Sequence, residues 1–545
     1  MRALRARRIV RRGSFVVLVI DGPVVTLSEA VPWWRRRRGS LPISLERVGE
    51  LVALVARDPR VRGLVVEIRS LRAGAAVATS LRSTLARLAQ AEKPLIAYLP
   101  MGAGTREMLV ASAATRIIIG PESSIAPLGI AVETRYLKRT LDKIGVLPEI
   151  FARGEFKTAG ESLARDSMSD EQREQLGAIL DVMEDELLSA LSEGRRRSRD
   201  EAHALVDGGP YRAGEAVARG LVDAKGYDDE LPKLLLPDSS IPAHLVPGRT
   251  YLSVRRGPAR PKRVGVVHVR GPIVSRSPFG FARVAVDERV MAALRRARES
   301  RGVAGVVVLI DSPGGSVLAS DRIHHEIERL AEKKPVVAYM SNVAASGGYY
   351  VAAAAHAIVA QTTTITGSIG VVAAHLVLSP LLEKLGIVTE LVKRGARADM
   401  LSASRALDPG EREAMTLEID GFYRDFVNIV ARGRKRDPDE IEKLARGRVY
   451  GGVEAQRLGL VDRLGDFDVA LDWLREELGL VHPMTAAVIN PPRAMPKPPE
   501  MPAPFVAAIE AVRGGALFDL AALALGVAPT ERALAWSGIA GLAGS

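Results

Sequence analysis

Short apolar runs alternate with amphipathic stretches along most of the chain, and this alternation predicts strands and helices in turn. In the second half, GVVVLI from Gly305 and PVVAYM from Pro335 are predicted strands, because each is a short valine-rich run beside a turn signal. Residues 317–334, between them, predict a helix. Its apolar positions lie near one face: Leu318, Ile323, Ile327 and Leu330. This rhythm favours parallel strands with right-handed crossovers, so the predicted fold class is α/β, with mainly parallel sheets and flanking helices.

The order of segments occurs twice, at an offset of about 240 residues. The matching pairs are SFVVLVIDGPVV from Ser14 with RVGVVHVRGPIV from Arg263, GLVVEIRS from Gly63 with GVVVLIDS from Gly305, KPLIAYLPMGAG from Lys93 with KPVVAYMSNVAA from Lys334, EIFARGEFK from Glu149 with ELVKRGARA from Glu390, and YRAGEAVARGLVD from Tyr211 with YGGVEAQRLGLVD from Tyr450. Two tandem repeats are therefore expected, at 14–241 and 263–489. A basic arm (1–13), a linker rich in Pro, Gly and Arg (242–262) and a Pro-rich segment with a helical tail (490–545) complete the chain.

Positive charge is concentrated near the N-terminus. The net charge is +12, the first twelve residues contain six arginines, and four more follow Trp33 and Trp34. Arginines beside tandem tryptophans favour a membrane surface, and a solvated arm is the alternative. No run approaches the roughly 20 apolar residues of a spanning helix. The chain has no cysteine, which excludes disulfides and thiolate catalysis. Charge alone would allow nucleic-acid binding, but no recognisable module supports it.

The repeat allows candidate chemistry to be compared between the two copies. Ser346 aligns with Thr105, and the two glycines after the serine align with Arg and Glu. Upstream, Pro-Gly-Gly at 313–315 aligns with Leu-Arg-Ala at 71–73. The fold therefore does not require these glycines. They suit an oxyanion hole, because glycine lets backbone N–H groups approach a ligand. Either motif alone would be compatible with tight packing, and together they favour a nucleophilic serine.

A nucleophilic serine needs a base, and Lys157 in the first copy is the candidate. Its counterpart in the second copy is Ala398, so each copy lacks what the other holds. A lysine can act as a base when burial lowers its pKa. A Ser-His-Asp triad remains open but has no carboxylate at a telling spacing. The candidate histidines of the second copy are His324 and His325, expected on a solvated helix face, together with His356 and His375.

The motifs DSPGGSV from Asp311, AASGGYYVA from Ala344, TGSIGV from Thr366 and GEFKTAGESL from Gly154 resemble the signal peptide peptidase A family. This family of serine proteases belongs to the Clp-protease/crotonase superfamily. The resemblance covers about residues 14–480 and is to the long, tandem-repeat form of the protease IV type. It implies two Clp-protease/crotonase-like repeats.

The resemblance also implies a nucleophile, Ser346, and a general base, Lys157. The implied oxyanion donors are the N–H groups of Gly314 or Gly315, and of Gly347. Thr158 and Ser368 are further candidates to hydrogen-bond the lysine amine, or to stabilise its turn. Neither a metal nor another cofactor is required for this chemistry.

Hydrophobic peptides, chiefly spent signal peptides, are the substrates that the resemblance implies, with a homotetramer as the assembly. Long-form members begin with a membrane-spanning helix, whereas here a strand follows the arginine arm almost at once. Peripheral attachment to the bacterial inner membrane is therefore expected, with the side of the membrane left open. The alternatives are a crotonase-like acyl-CoA enzyme and an inactive membrane-associated scaffold.

Overall fold

Strands and helices alternate through both halves of the chain in this computed structural model, which describes residues 9–28, 42–255, 264–275, 284–481, 484, 486–491 and 534–536. The α/β class predicted from the sequence is confirmed. Most of the predicted basic arm, Trp33 and Trp34, and all of the segment 490–545 apart from residues 490, 491 and 534–536 lie outside the described residues. Within the described part, no helix is both long enough and apolar enough to cross a membrane.

The N-terminal half contains a parallel sheet. Its strands are β1 Ser14–Val25, β2 Ile43–Ser44, β3 Val61–Arg72, β4 Leu95–Leu99, β5 Arg116–Ile119, β9 Ala224–Lys225 and β10 Leu245–Pro247; β6 Ser124–Ile125, β7 Leu147–Arg153 and β8 Tyr211–Arg212 lie outside it. The helices are α1 Leu45–Arg57, α2 Ala75–Ala86, α3 Thr105–Ala111, α4 Lys138–Ile144, α5 Glu161–Ala164, α6 Asp170–Arg195, α7 Arg199–Asp207, α8 Ala213–Ala218, α9 Leu231–Leu234 and α10 Gly248–Arg255, with 3₁₀ turns at Arg87–Ala91 and Thr158–Gly160. The sheet order is β10-β1-β3-β4-β5-β9, with β2 beside β1, and every pair is parallel.

The C-terminal half repeats this plan. Its strands are β11 Val264–Arg270, β12 Ile273–Val274, β13 Ala285–Val286, β14 Gly305–Ser312, β15 Gly314–Ser316, β16 Val336–Ala345, β17 Ala357–Ala360, β18 Ile365–Gly367, β19 Val371–Val377, β20 Val449–Gly451, β21 Arg463–Leu464, β22 Ala486–Val488 and β23 Leu534–Trp536. Its helices are α11 Asp287–Glu299, α12 Val317–Ala331, α13 Gly347–Ala352, α14 Ser379–Lys384, α15 Pro409–Arg434, α16 Pro438–Leu444, α17 Gly452–Arg457 and α18 Phe467–Glu477. The main sheet runs β20-β18-β16-β14-β11-β22, and its pairs are parallel except for β18 with β20.

Helix α12 shows why these stretches fold as predicted. The Ser316 side chain caps its first turn by accepting a hydrogen bond from the Ala319 N–H group, and its apolar face is buried in the core of the C-terminal half. Two details differ from the sequence prediction. Leu318 is 63% exposed, because it lies on the opposite face of the first turn, and His324 is buried against the ring of Tyr350 instead of solvated.

Ordered structure extends into the predicted linker. Strand β10 pairs in parallel with β1, and α10 follows it and buries Tyr251 against the N-terminal core. The apolar positions of this stretch are therefore used for packing, although proline, glycine and arginine dominate its composition.

A third sheet, ordered β13-β12-β15-β23-β19-β7, joins the two halves. Strand β7 comes from the N-terminal half and pairs antiparallel with β19 of the C-terminal half along seven positions, from Val371 opposite Arg153 to Val377 opposite Leu147. This pairing carries the chain that follows β7 into the other half of the molecule.

Candidate active site

The segment after β7 places Lys157 inside the C-terminal half. The chain turns at Gly154, which has φ +102°, and the Lys157 N–H group donates to the Gly154 carbonyl at 2.9 Å. The Phe156 N–H group donates to the Arg446 carbonyl at 2.9 Å. Gln175 then bridges the halves, donating to the Phe156 carbonyl and accepting from the Val449 N–H group. The backbone of the lysine is thus fixed on both sides.

Glycines leave a narrow slot for the lysine. A Cβ atom on Gly447 would lie 2.5 Å from the backbone nitrogen of Lys157, and one on Gly370 would lie 3.1 Å from its Cδ atom. Gly447 also has φ +79°, so two features of this position favour glycine. A larger residue at either position would push the lysine out of its place, and the lysine side chain is buried.

Ser346 lies at the junction between β16 and α13. It is buried, its N–H group donates to the Gly367 carbonyl at 2.8 Å, and its φ of +55° is uncommon for a residue with a side chain. Such backbone conformations cost roughly 1–3 kcal/mol and persist where the surroundings impose them. Here the strand before the serine and the helix after it fix the direction of its hydroxyl group.

The two halves meet at the side chains of these residues. The Lys157 Nζ atom lies 2.7 Å from the Ser346 Oγ atom, 2.9 Å from the Ser368 carbonyl oxygen and 3.0 Å from the Ser368 Oγ atom. A neutral amine has two N–H donors and one lone pair. If the donors go to the two oxygens of Ser368, the lone pair faces the Ser346 hydroxyl group.

Burial lowers the pKa of the Lys157 amine well below its ordinary value. The cause is desolvation, because the low-dielectric interior disfavours the charged form of an amine. The contacts of the amine are with hydroxyl and carbonyl oxygens, so the local chemistry is compatible with a neutral base.

The candidate oxyanion glycines lie next to the serine. A Cβ atom on Gly347 would lie 3.2 Å from both the Gly314 Cα atom and the Gly315 nitrogen, so the two glycine segments are in close contact. Gly314 and Gly315 have φ values of +105° and +154°. The Gly314 N–H group donates to the Ser312 Oγ atom at 3.2 Å. Gly347 is the first residue of α13, where an N–H group has no acceptor within the helix.

The remaining candidates occupy other positions. Thr158 begins the 3₁₀ turn after the lysine, and the hydrogen bonds of the lysine amine go to Ser346 and Ser368 instead. His375 contacts Glu149 at 2.8 Å and the Ser402 carbonyl at 3.1 Å. The hydrogen-bond partner of the Ser346 Oγ atom is the Lys157 amine, and not one of the candidates His324, His325, His356 and His375.

Two further residues, which sequence reasoning did not single out, hold the strands around the site. The pairing of β14 with β16 shifts register between Ile310 and Ser312, and the Asp311 carboxylate accepts from the Val343 N–H group at that shift, at 3.3 Å. Burial raises the pKa of this carboxyl group. Asn342 accepts from the Val77 N–H group of the N-terminal half at 3.2 Å. The sequence feature that could have identified Asp311 is its position as the first residue of the motif DSPGGSV.

Both halves of the chain are similar to known proteins. The model of peptidase family S49 matches residues 87–236 and 328–481, together more than half of the chain and one segment in each half. A chloroplastic serine protease SPPA from Arabidopsis thaliana is 32% identical over 483 residues, which cover 85% of this chain and 69% of the relative. Protease 4 from Haemophilus influenzae is 30% identical over 435 residues, which cover 76% and 70%. Among solved structures, a ClpP1 mutant from Listeria monocytogenes matches 37% of this chain and 91% of its own, at 18% identity and a TM-score of 0.25.

These matches define the class of the protein as a serine protease. The chain belongs to peptidase family S49, which confirms the resemblance predicted from its motifs.

Proposed function

We propose that the chain is an endopeptidase in which Ser346 is the nucleophile and Lys157 the general base. The observation that carries the proposal is the 2.7 Å distance between the Lys157 Nζ and Ser346 Oγ atoms, with the two oxygens of Ser368 on the other side of the amine. A base within hydrogen-bond reach of the proton it accepts is the geometric requirement for this chemistry.

The reaction follows from these positions. Neutral Lys157 accepts the hydroxyl proton while the Ser346 Oγ atom attacks the carbonyl carbon of the peptide bond. The lysine then donates that proton to the nitrogen of the leaving amine, and the bond to this nitrogen breaks. The same lysine then takes a proton from water, whose oxygen attacks the acyl carbon. The ester bond to the Ser346 Oγ atom breaks, the lysine returns the proton to Oγ, and the second fragment leaves as a carboxylic acid.

Backbone N–H groups of Gly315 and Gly347 are the proposed donors to the oxyanion. Of Gly314 and Gly315, Gly314 is the weaker candidate, because its N–H group donates to the Ser312 Oγ atom. The close contact between the two glycine segments supports a shared oxygen site. In other proteases, losing one such donor lowers the rate by about 10²–10³-fold.

Hydrophobic peptides, such as released signal peptides, are the proposed substrates. Apart from His375, strands β15 and β19 consist of small and apolar residues, which suit an apolar peptide in extended form. The oxygens that the Lys157 amine contacts, those of Ser346 and Ser368, belong to uncharged groups.

A homo-oligomer is proposed because the second half carries an unpaired copy of β7. Residues 388–394 align with β7 but are exposed and lie outside the sheets of the described chain, with Val388 at 86% and Val392 at 89% exposure. Residues 130–136 align with β19, and they alternate between half-buried and exposed as an edge strand would. The two segments of neighbouring copies would pair head to tail, as β7 and β19 do within one chain, and four copies are expected in the ring.

Light scattering after size exclusion tests this assembly. Val388→Asp combined with Val392→Asp would place two charges on the shared edge and should convert the oligomer to monomers. Leu417→Asp, at a position 64% exposed on α15, is the control and should leave the oligomer intact. A double variant that keeps the mass of the wild type would contradict head-to-tail pairing.

Membrane association, peripheral and at the bacterial inner membrane, is proposed from the arginine-rich N-terminus with Trp33 and Trp34. Flotation with liposomes containing anionic lipid is the test, and a chain that stays at the bottom of the gradient would contradict the proposal.

Covalent labelling with a serine-directed phosphonate tests the proposed reaction. The label should be found on Ser346 by peptide mapping, and Ser346→Ala should remove it. A crotonase-like acyl-CoA enzyme or an inactive scaffold has no activated serine, so the absence of labelling in the folded wild type would favour these alternatives.

A further inference from the structure

The C-terminal tail contributes a strand to the third sheet. This sheet contains β15, which carries Gly314 and Gly315, and β7, which precedes Lys157. Strand β23 lies between β15 and β19 in that sheet. It pairs antiparallel with β15, where Leu534 lies opposite Ser316 and Trp536 opposite Gly314, and antiparallel with β19, where Leu534 lies opposite Val372.

Strand β23 runs along the glycine segment that lies next to Ser346. Its chain runs from Ser316 towards Gly314, and therefore towards the glycines proposed as oxyanion donors. Cα atoms of β23 lie within 8 Å of α13, the helix that follows Ser346. An extended peptide that adds a strand to open sheet edges is a common mode of peptide recognition, in which main-chain hydrogen bonds give the affinity.

The composition of the tail also matches the proposed substrates. From Ala533 to Ser545 the sequence is ALAWSGIAGLAGS, which contains no charged side chain. Strand Leu534–Trp536, which lies between β15 and β19, therefore belongs to an uncharged stretch, similar in chemistry to the peptides that the enzyme is proposed to cleave.

We propose that strand Leu534–Trp536 is a tethered competitor, which an extended apolar peptide must displace from the gap between β15 and β19 before it reaches Ser346. A tether keeps the competitor at a high effective concentration. The apparent affinity for a free peptide is therefore the intrinsic affinity multiplied by the fraction of chains in which the gap is open. The effect on cleavage rests on the proposed function, whereas competition between β23 and a free peptide for the gap does not.

Peptide binding to a catalytically silent enzyme tests the competition directly. In full-length Ser346→Ala, adding Ala535→Pro should weaken β23, because both of its edges are paired and the N–H group lost at 535 faces one neighbour or the other. A fluorescein-labelled peptide with the sequence of residues 530–541 should then bind about 10-fold or more tightly, as measured by anisotropy. Removing residues 534–545 should have the same effect, and Ala522→Pro, elsewhere in the tail, should have none.

Equal peptide affinity in the full-length, proline and shortened chains would overturn the inference, as would the absence of binding to all three. The outcome is separate from that of phosphonate labelling. An unlabelled Ser346 with tighter peptide binding on loss of β23 would reject the proposed catalysis and keep the competitor. In active enzyme, Ala535→Pro should lower KM by a similar factor and leave kcat unchanged.

Discussion

The two halves of the molecule use aligned segments, β7 and residues 388–394, in opposite ways. In the N-terminal half, β7 is paired with β19 and delivers Lys157 to the serine. In the C-terminal half, the aligned residues 388–394 are exposed, and Ala398 lies in an exposed turn where the lysine would be. The two halves therefore differ in two properties of the aligned segments: whether the segment pairs with another strand of the chain, and whether a lysine follows it.

The positions aligned with the nucleophile differ in a similar way. Helix α3 begins at Thr105, whose hydroxyl group donates to the Gly129 carbonyl at 2.7 Å. Helix α13 begins just after Ser346, which has positive φ and whose hydroxyl group contacts the lysine. A helix therefore forms at this place in both halves, and the strained serine and its glycines are additions of the second half. Pairing between copies through 130–136 and 388–394 would bring Thr105 towards Ala398, and would build no second Ser–Lys pair.

Loss of either member of the pair should have the largest effect. Ser346→Ala and Lys157→Ala should each lower kcat for a hydrophobic peptide by about 10⁶-fold, since the residues act as a unit. Thr105→Ala changes the aligned position of the first half and should keep kcat near the wild-type value. Turnover is measured by the release of a fluorescent fragment. Activity of either pair variant within 10-fold of the wild type would reject the mechanism.

Crowding of the two glycine segments should have a smaller effect. A Cβ atom on Gly347 would lie 2.6 Å from the Ser320 Oγ atom as well as close to the Gly314–Gly315 segment. Gly347→Ala should therefore lower kcat by about 10²-fold, the size expected for a damaged oxyanion site. Arg106→Ala, at the aligned position, should have no effect on kcat.

A second substitution identifies which contact matters. Adding Ser320→Ala to Gly347→Ala removes the nearest clash and leaves the approach to Gly314 and Gly315 unchanged. Only partial recovery of kcat is expected, and full recovery would mean that Gly347 is needed only to leave room for Ser320.

The alternation of apolar runs and amphipathic stretches predicted the fold class. Comparison of the repeats predicted two residues that the structure brings together, Ser346 and Lys157, because each copy lacks the candidate residue of the other. It did not predict the contacts that depend on long-range register. The Ser368 carbonyl oxygen accepts from the lysine amine, but a backbone group leaves no mark in the sequence. The contact of Asn342 with Val77 joins residues of different halves, and local patterns do not encode it. His324 was expected to be solvated because its neighbours on α12 are polar, and it is buried because α13 packs over it.

The smallest expected effect concerns the stability cost of the buried lysine. Its pKa is lower in the folded chain than in the unfolded chain, so the unfolded chain binds more protons between the two values. Stability should therefore fall by about 1.4 kcal/mol per pH unit as the pH drops from about 10 towards the folded-state pKa. Lys157→Met removes the titrating group and should flatten this dependence, as measured by urea unfolding at several pH values. Ala398→Lys adds a lysine to the exposed turn of the second half and should change stability by less than about 0.5 kcal/mol at every pH. Equal pH dependence in the wild type and Lys157→Met would show that the Lys157 amine is as well solvated as a lysine at the exposed position 398. This result would remove the physical basis for a neutral base at Lys157.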